Sequence, residues 1–141
     1  MRARAILVAA PFLLPLTGTT AFACGVCIED RIATVYDHAV VTKALGQKHH
    51  VAFFAIKGTL APGNDSQRAI EAITESAHGV DQGSARVSLE SASLSVSFDP
   101  ARVQISALER DIEVRLAAKK LSLQPLRVMD GPARMKAVDR Q

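Results

Sequence analysis

The chain has no tryptophan, one tyrosine and five phenylalanines, and only two of its 141 residues are cysteine. Proteins that bind single-stranded nucleic acid stack its bases on aromatic side chains, so this composition argues against a nucleic-acid partner. Because Cys24 and Cys27 are the only thiols, all thiol chemistry is confined to one motif, Cys24-Gly25-Val26-Cys27.

Beyond the first 23 residues the sequence also lacks a hydrophobic run that could cross a membrane. Those 23 residues have the three parts of an export signal: Arg2 and Arg4, the apolar stretch from Ala5 to Leu16, and a small-x-small cleavage site at residues 21–23. The apolar stretch is shorter than the roughly 20 residues of a transmembrane helix. We therefore expect a signal peptide over residues 1–23 and a periplasmic or secreted protein with no transmembrane segment after its removal.

Removal of the signal lowers the net charge of the chain. Two of the 17 basic residues and none of the 14 acidic residues lie in the signal, so the remaining 118 residues carry +1 rather than +3. So small a charge gives little attraction for nucleic acid or anionic lipid. The length suits one domain with a modest core.

Cleavage after Ala23 would make Cys24 the first residue of the mature protein. Bacterial lipoproteins carry a lipid on a cysteine in this position, and such an anchor would remove Cys24 from any thiol pair. Their signals usually have leucine three residues before the cysteine, where this chain has Ala21, followed by the bulky Phe22. The sequence therefore favours an unmodified Cys24, with the lipid anchor as the alternative.

The Cys-x-x-Cys spacing allows three kinds of chemistry. An exported protein lies in an oxidising compartment, where two cysteines commonly form a disulfide. A bridge across so short a loop would contribute less than the roughly 3 kcal/mol of a 15-residue loop. Thiol-disulfide exchange and binding of a soft metal ion explain the spacing better, because both need two sulfurs close together.

The segment from Ile28 to Leu45 is predicted to be one amphipathic helix. Apolar residues recur on one stripe, namely Ile28, Ile32, Val35, Ala39 and Val40. If the helix begins near Cys27, its N-terminal amides stabilise a thiolate there, although Glu29 and Asp30 partly oppose this. Asp37 and His38 are expected on the polar face, where adjacent residues do not form a catalytic dyad, with the Tyr36 ring packed.

From residue 49 onward the periodicities predict strand, helix, strand, strand, helix, strand. This order is the split βαβ arrangement of ferredoxin-like domains, so the fold class is α+β, a ferredoxin-like βαββαβ sandwich preceded by an N-terminal helix. The elements are a buried strand 51–56, a helix after Asp65 or Ser66, a hairpin turning at residues 90–91, a helix 106–119 and a strand 121–128. Pro125 predicts an edge or a bulge in the last strand.

The predicted boundaries are 1–23 for the signal peptide, 24–46 for the Cys-x-x-Cys motif and helix, 47–130 for the ferredoxin-like domain, and 131–141 for a loosely ordered polar tail. Residues 49–129 contain Gly79-Val80 at the end of the first helix, Val87-Ser88-Leu89, and the run from Leu94 to Pro100. On these residues the chain resembles the heavy-metal-associated domain, the family of small copper chaperones and of metal-binding modules of transport ATPases. The resemblance implies the fold more strongly than the activity.

The chain departs from that family in the loop that carries its metal ligands. Family members have Met-Thr-Cys-x-x-Cys between the first strand and first helix, whereas residues 58–65 here read Gly-Thr-Leu-Ala-Pro-Gly-Asn-Asp and contain no thiol. We therefore expect Cys24 and Cys27 to be the metal ligands, selecting a soft ion such as Cu(I). The resemblance also implies a metal-transport protein or a cuproprotein as partner. Candidates for a third donor are His38, His49, His50, His78, Met129 and Met135.

No catalytic triad, phosphate-binding loop or paired-carboxylate site is recognisable, so the chain is predicted not to be an enzyme. The competing enzyme hypothesis is a thiol-disulfide oxidoreductase, but no strand precedes the Cys-x-x-Cys motif as it does in thioredoxin-like proteins. A further alternative is a non-catalytic periplasmic interaction module with a structural disulfide. These alternatives differ in the state of Cys24 and Cys27: thiolates for metal binding, exchange between thiols and a disulfide for the oxidoreductase, and a permanent disulfide for the interaction module.

Overall fold

The computed structural model describes residues 27–131 and the backbone of residues 135–137. The predicted signal peptide and Cys24 lie outside the described residues. The helices are α1 (Ile28–Val35), α2 (His38–Gly46), α3 (Asn64–Glu75) and α4 (Ile105–Leu116), the last followed by a 3₁₀ turn, Ala117–Lys119. The strands are β1 (His50–Lys57), β2 (Arg86–Ser88), β3 (Ser93–Phe98), β4 (Ser122–Met129) and β5 (Met135–Ala137).

The five strands form one sheet in the order β2-β3-β1-β4-β5, and every neighbouring pair is antiparallel. Four of these strands and two helices follow the chain order β1-α3-β2-β3-α4-β4. This arrangement confirms the predicted α+β, ferredoxin-like fold. Within the described residues, no helix is both long and apolar enough to cross a bilayer.

One face of the sheet packs against α3 and α4. Strand β1 contributes Ala52, Phe54 and Ile56 to this face, while the helices contribute residues at the helical period. The main helical contacts are Ile70, Leu108, Ile112 and Leu116, each at most 1% exposed. This layer is the hydrophobic core expected from the sequence pattern.

The opposite face of the sheet is covered by α1 and α2. Val51 and Phe53 of β1 and Met129 of β4 pack there against helix residues Ile32, Val35, Val41 and Ala44. Because β1 is buried on both faces, its central residues form a continuous apolar run rather than an alternating one. The N-terminal helices α1 and α2 therefore form a third layer of the domain.

The prediction of one helix from Ile28 to Leu45 is wrong, since the chain breaks at Tyr36 and Asp37. The Asp37 carboxylate caps α2, accepting hydrogen bonds from the amides of Ala39 at 2.9 Å and Val40 at 3.1 Å. The amide of Val40 and the guanidinium of Arg86 lower the pKa of this carboxyl. Asp37 is therefore a cap and not a residue of a polar helix face.

The break also changes which residues of this segment are buried. Val41 and Ala44 of α2 are buried, whereas Ala39 of the predicted stripe is exposed. Ile28 is 50% exposed, and Tyr36 is 40% exposed, so the Tyr36 ring is not packed as expected. Of the five residues in the predicted stripe, only Ile32 and Val35 are buried.

The C-terminal part of the chain confirms one expectation and corrects another. Opposite Phe53 and Phe54 the register of β4 passes from Arg127 to Pro125, so Leu126 is the extra residue of a bulge, as the proline predicts. The tail was expected to be loosely ordered throughout, yet Met135–Ala137 form β5 beside β4. Residues 132–134 and 138–141 lie outside the described residues.

Candidate metal centre

Cys27 lies at the N-terminus of α1, as the sequence predicts for a helix that begins near it. It occupies the cap position, and its carbonyl oxygen accepts the first helical hydrogen bond from the Arg31 amide at 3.0 Å. The Cys27 thiol is free and exposed. Cys24 lies outside the described residues, so the structure describes only Cys27 of the expected thiol pair.

The first turn of α1 is fixed to the sheet by a bidentate ion pair. The Arg127 side chain of β4 donates from Nη1 to Glu29 Oε2 at 3.0 Å and from Nη2 to Glu29 Oε1. Both charges are thereby neutralised close to the helix N-terminus. Asp30 is the remaining acidic residue of the first turn. Glu29, two residues after Cys27, is therefore an ion-paired carboxylate.

The far end of α1 is held by hydroxyl groups of the β2–β3 hairpin. Ser95 Oγ donates to the Val35 carbonyl oxygen at 2.7 Å, and the Thr34 and Ser91 hydroxyls are 2.6 Å apart. Arg127 lies on β4, and these serines lie on or beside β3. The first turn of α1 is therefore held at β4 and its last turn at β3, so the helix crosses the sheet. The position of Cys27 relative to the sheet is thus fixed at both ends of the helix that follows it.

The loop between β1 and α3 occupies the place where the resembled family carries its thiols. Gly58 opens it with φ +118°, a value that favours glycine, and a Cβ there would lie 2.6 Å from the Lys120 carbonyl oxygen. Gly63 precedes α3 without a side-chain cap. The loop has hydroxyl, amide and carboxylate groups but no sulfur. It does not fit a soft metal ion.

The candidate third donors lie on different elements of the fold. Within the described part of the chain, no three His, Cys, Asp or Glu residues are close enough to hold one metal ion. His38 begins α2, and His78 is exposed after α3. Met129 is buried between the sheet and the helices α1 and α2. For Met135 the structure gives the backbone, which pairs in register with Met129. A third ligand therefore remains a prediction.

His49 and His50 lie on opposite sides of the sheet, as adjacent residues at the start of a strand should. The ring of His50 packs edge-on against Phe98, with centroids 5.6 Å apart. His49 Nδ1 lies 2.8 Å from Asp81 Oδ2 and 3.0 Å from Oδ1. The two histidines cannot bind one ion together.

Asp81 is a functional candidate that sequence analysis missed. Its Oδ2 atom also accepts a 2.6 Å hydrogen bond from Ser97 Oγ, so the carboxylate orients the His49 ring and is itself held by β3. The two partners are 32 residues apart, and no motif links them. The polar residue Ser97 between Val96 and Phe98 was the available signal, since a buried serine needs a partner.

No family model matches the sequence, and no curated protein matches it. Solved structures similar in fold include oxidized MerP from Ralstonia metallidurans CH34, at 14% identity over 55% of this chain and 96% of that one, with a TM-score of 0.43. Another is a copper binding domain from HMA7, a P-type ATPase, at 21% identity over 55% and 93%, with a TM-score of 0.44. A third is the N-terminal domain of a potential copper-translocating P-type ATPase from Bacillus subtilis in the Cu(I)-loaded state, at 20% identity over 61% and 99%, with a TM-score of 0.45. At these identities the similarity concerns the fold, which the strand order establishes independently.

Proposed function

We propose that this chain is an exported protein that binds a soft metal ion, Cu(I), through the thiolates of Cys24 and Cys27. The observation that carries the proposal is the position of Cys27: it is free, exposed and at the N-terminus of a helix packed on the sheet. The thiol of the motif is accessible to an incoming ion. The helix after it is not a mobile extension but part of the domain.

The charges around Cys27 support a thiolate site. Two thiolates binding one Cu(I) ion carry a net charge of −1, and a helix N-terminus stabilises negative charge through its free amides. The Arg127 side chain neutralises Glu29, the acidic residue two positions after Cys27. Asp30 is the opposing charge that remains in the first turn, and it is solvent-exposed and therefore screened.

The location and partners follow from the same proposal. The expected signal peptide over residues 1–23 places the mature protein in the periplasm or outside the cell. A carrier of this kind would receive or deliver its ion at a metal-transport protein or a cuproprotein. Two-coordinate thiolate sites suit such transfer because an incoming thiolate can join the ion before an outgoing one leaves. In this proposal the protein is not an enzyme.

Competition with a chromogenic Cu(I) chelator tests the proposal on the reduced mature protein. We expect one Cu(I) per chain, with binding lost in Cys24→Ser and in Cys27→Ser. Glu90→Gln and Lys119→Ala serve as controls, because both residues are exposed and neither is a candidate ligand. Unchanged Cu(I) binding in the double serine variant would reject the thiolate site.

Two further measurements separate the alternatives. Mass spectrometry of the mature N-terminus identifies a lipid on Cys24, which would remove one ligand and contradict the two-thiolate site. An insulin-reduction assay tests the oxidoreductase alternative, for which turnover must depend on both cysteines. Catalytic turnover in that assay together with absent Cu(I) binding would replace metal binding with redox catalysis.

A further inference from the structure

The outer edge of β2 is occupied by two carboxylates of α3. The Val87 amide donates to Glu71 Oε1 at 3.2 Å, and the amide of Ala85, directly before β2, donates to Glu75 Oε1 at 3.2 Å. Glu71 and Glu75 are four residues apart, so they lie on the same side of the helix. Backbone groups of an antiparallel strand alternate between its two edges, so residues 85 and 87 direct theirs away from β3. The carboxylates therefore take the place of a neighbouring strand.

A guanidinium engages a backbone acceptor of the same edge. Arg86 Nη1 donates to the Ala85 carbonyl oxygen at 2.8 Å and to the Gly83 carbonyl oxygen at 3.0 Å. Arg86 Nε donates to Asp37 Oδ2 at 2.9 Å, and this bond keeps the side chain in position. Side chains of the same chain thus engage both the amide and the carbonyl of Ala85. A strand placed beside β2 would have to displace Glu75 and Arg86 to pair with this residue.

The other side of the four-stranded sheet is closed in a similar way. The Leu123 amide of β4 donates to Glu113 Oε1 of α4 at 2.8 Å. Two residues further along the strand is Pro125, which has no amide hydrogen to donate. Strand β5 pairs with β4 from Arg127 to Met129. The two helices that cover one face of the sheet therefore also supply carboxylates to amides at both of its sides.

The sequence of β2 is compatible with pairing to a second copy of itself. Two β2 strands that pair antiparallel about Val87 place each Arg86 opposite Ser88 of the second copy, so no like charges meet. The two Val87 residues would exchange two backbone hydrogen bonds, because the Val87 amide faces the outer edge. An open strand edge is a template for such association. The α3 carboxylates occupy the amides that it requires.

We propose that Glu71 and Glu75 are autoinhibitory contacts that close the β2 edge to strand addition by a second copy of this chain. Each carboxylate accepts the hydrogen bond that a carbonyl of the second copy would accept. The exclusion depends on the acceptor oxygens, so glutamine at both positions would maintain it. The inference goes beyond the proposed metal binding and does not depend on Cys24 or Cys27.

Removal of both acceptors tests the proposal on the reduced mature protein, in which no disulfide links two chains. Glu71→Ala combined with Glu75→Ala should double the mass measured by sedimentation equilibrium as the protein concentration rises from about 10 μM to about 1 mM. The wild-type protein and the double glutamine variant should show no such increase. Equal masses of the double alanine variant and the wild type over this range would overturn the proposal.

A charge-matched variant separates lost hydrogen bonds from lost charge. Asp65→Ala combined with Glu90→Ala also removes two negative charges, and both residues are exposed, with side chains that bond no strand amide within residues 27–131. This control should keep the wild-type mass. Association of the control equal to that of the double alanine variant would attribute pairing to charge and overturn the role of the acceptors.

Amide hydrogen exchange locates the contact. In dilute double alanine variant the Val87 amide should exchange about tenfold faster than in the wild type, and pairing at high concentration should slow it again. If that variant does not fold, Glu71→Ala and Glu75→Ala are measured singly, since each leaves one amide open. A dimer in which Val87 exchange stays fast would place the contact elsewhere and overturn the proposal, as would single variants that never associate.

Discussion

Ser95 Oγ of β3 donates a hydrogen bond to the Val35 carbonyl oxygen at the end of α1, across 2.7 Å. Both groups are buried, and they join segments 60 residues apart. The bond satisfies a carbonyl of the last helical turn, which has no partner inside its own helix. It therefore specifies where the N-terminal helices rest on the sheet.

Replacing Ser95 with alanine tests that contact. The variant leaves the Val35 carbonyl without its donor, so we expect the free energy of unfolding to fall by about 1–3 kcal/mol. Urea denaturation of the mature protein followed by circular dichroism provides the measurement. Ser106→Ala, at an exposed position in α4, is the matched control and should change stability by less than about 0.5 kcal/mol. Equal losses in the two variants would refute the role of the bond.

The neighbouring residues Phe53 and Phe54 test whether the second face of the sheet is covered. Phe53 packs against α1 and α2, and Phe54 packs against α3 and α4. Because both rings are at most 1% exposed, Phe53→Ala and Phe54→Ala should each cost about 3–5 kcal/mol of unfolding free energy.

Val114→Ala provides the control for these core substitutions, since Val114 is 70% exposed. It should cost little. If α1 and α2 did not pack on the sheet, the Phe53 ring would face solvent and Phe53→Ala would resemble this control. Thermal or urea unfolding of the three variants distinguishes the two outcomes.

Gly79 tests the packing of the loop after α3. It has φ +82°, and a Cβ there would clash with the side chain of Val103. Gly83 has a similar φ of +74° but has no atom within 4 Å of the position of a Cβ. Gly83→Ala should therefore cost only the backbone strain, about 1–2 kcal/mol, while Gly79→Ala adds about 1–3 kcal/mol of overpacking. Equal midpoints in urea would contradict the steric difference.

Two carboxylates predict how stability depends on pH. The pKa of Asp111 is lowered, first by the hydrogen bond from the His78 amide at 2.8 Å and then by Arg115, and that of Asp37 is lowered by its cap bonds and Arg86. A lowered folded-state pKa stabilises the protein above the unfolded-state pKa of about 3.9, and this stabilisation is lost as pH falls toward the folded-state pKa. The melting temperature should therefore decline below about pH 4.

Amide substitutions identify the carboxylates responsible for that decline. Asp37→Asn and Asp111→Asn should lower the melting temperature near neutral pH and flatten its dependence below about pH 4. Glu90→Gln is the control, because Glu90 is exposed and makes no hydrogen bond or ion pair within the described residues. An unchanged acid dependence in both Asp variants would contradict the assignment.

The sequence pattern predicted the ferredoxin-like layer because its signals are local. The apolar run 51–56, the phase change near residue 90 and the bulge at Pro125 each depend on neighbours along the chain. The helix break at Tyr36 was missed, although Asp37 is a common capping residue, because the apolar pattern continues on both sides of it.

The packing of α1 and α2 on the second face of the sheet could not be derived from such local signals. Ser93, Ser95 and Ser97 alternate with apolar residues, a pattern typical of a strand with one solvent-facing side, yet all three are buried beneath the N-terminal segment or its neighbours. Their partners are distant in sequence. Val51 and Phe53 were an available signal, because two apolar side chains on that face of the sheet have to be buried by another part of the chain.

The candidate metal centre was likewise only partly predictable. Counting cysteines identified Cys24 and Cys27, and the helix N-terminus at Cys27 was expected from the sequence. The ion pair between Glu29 and Arg127 joins residues 98 apart, so no spacing rule could predict it. This contact matters because it changes the charge beside the thiol.

X-ray absorption at the copper edge of the Cu(I)-loaded, reduced mature protein tests the central claim most directly. The two-thiolate site predicts one copper per chain with sulfur as its dominant ligand, and loss of that sulfur signal in Cys27→Ser. Copper bound only through nitrogen or oxygen, or an unchanged spectrum in Cys27→Ser, would contradict the proposal that the Cys24 and Cys27 thiolates hold the ion.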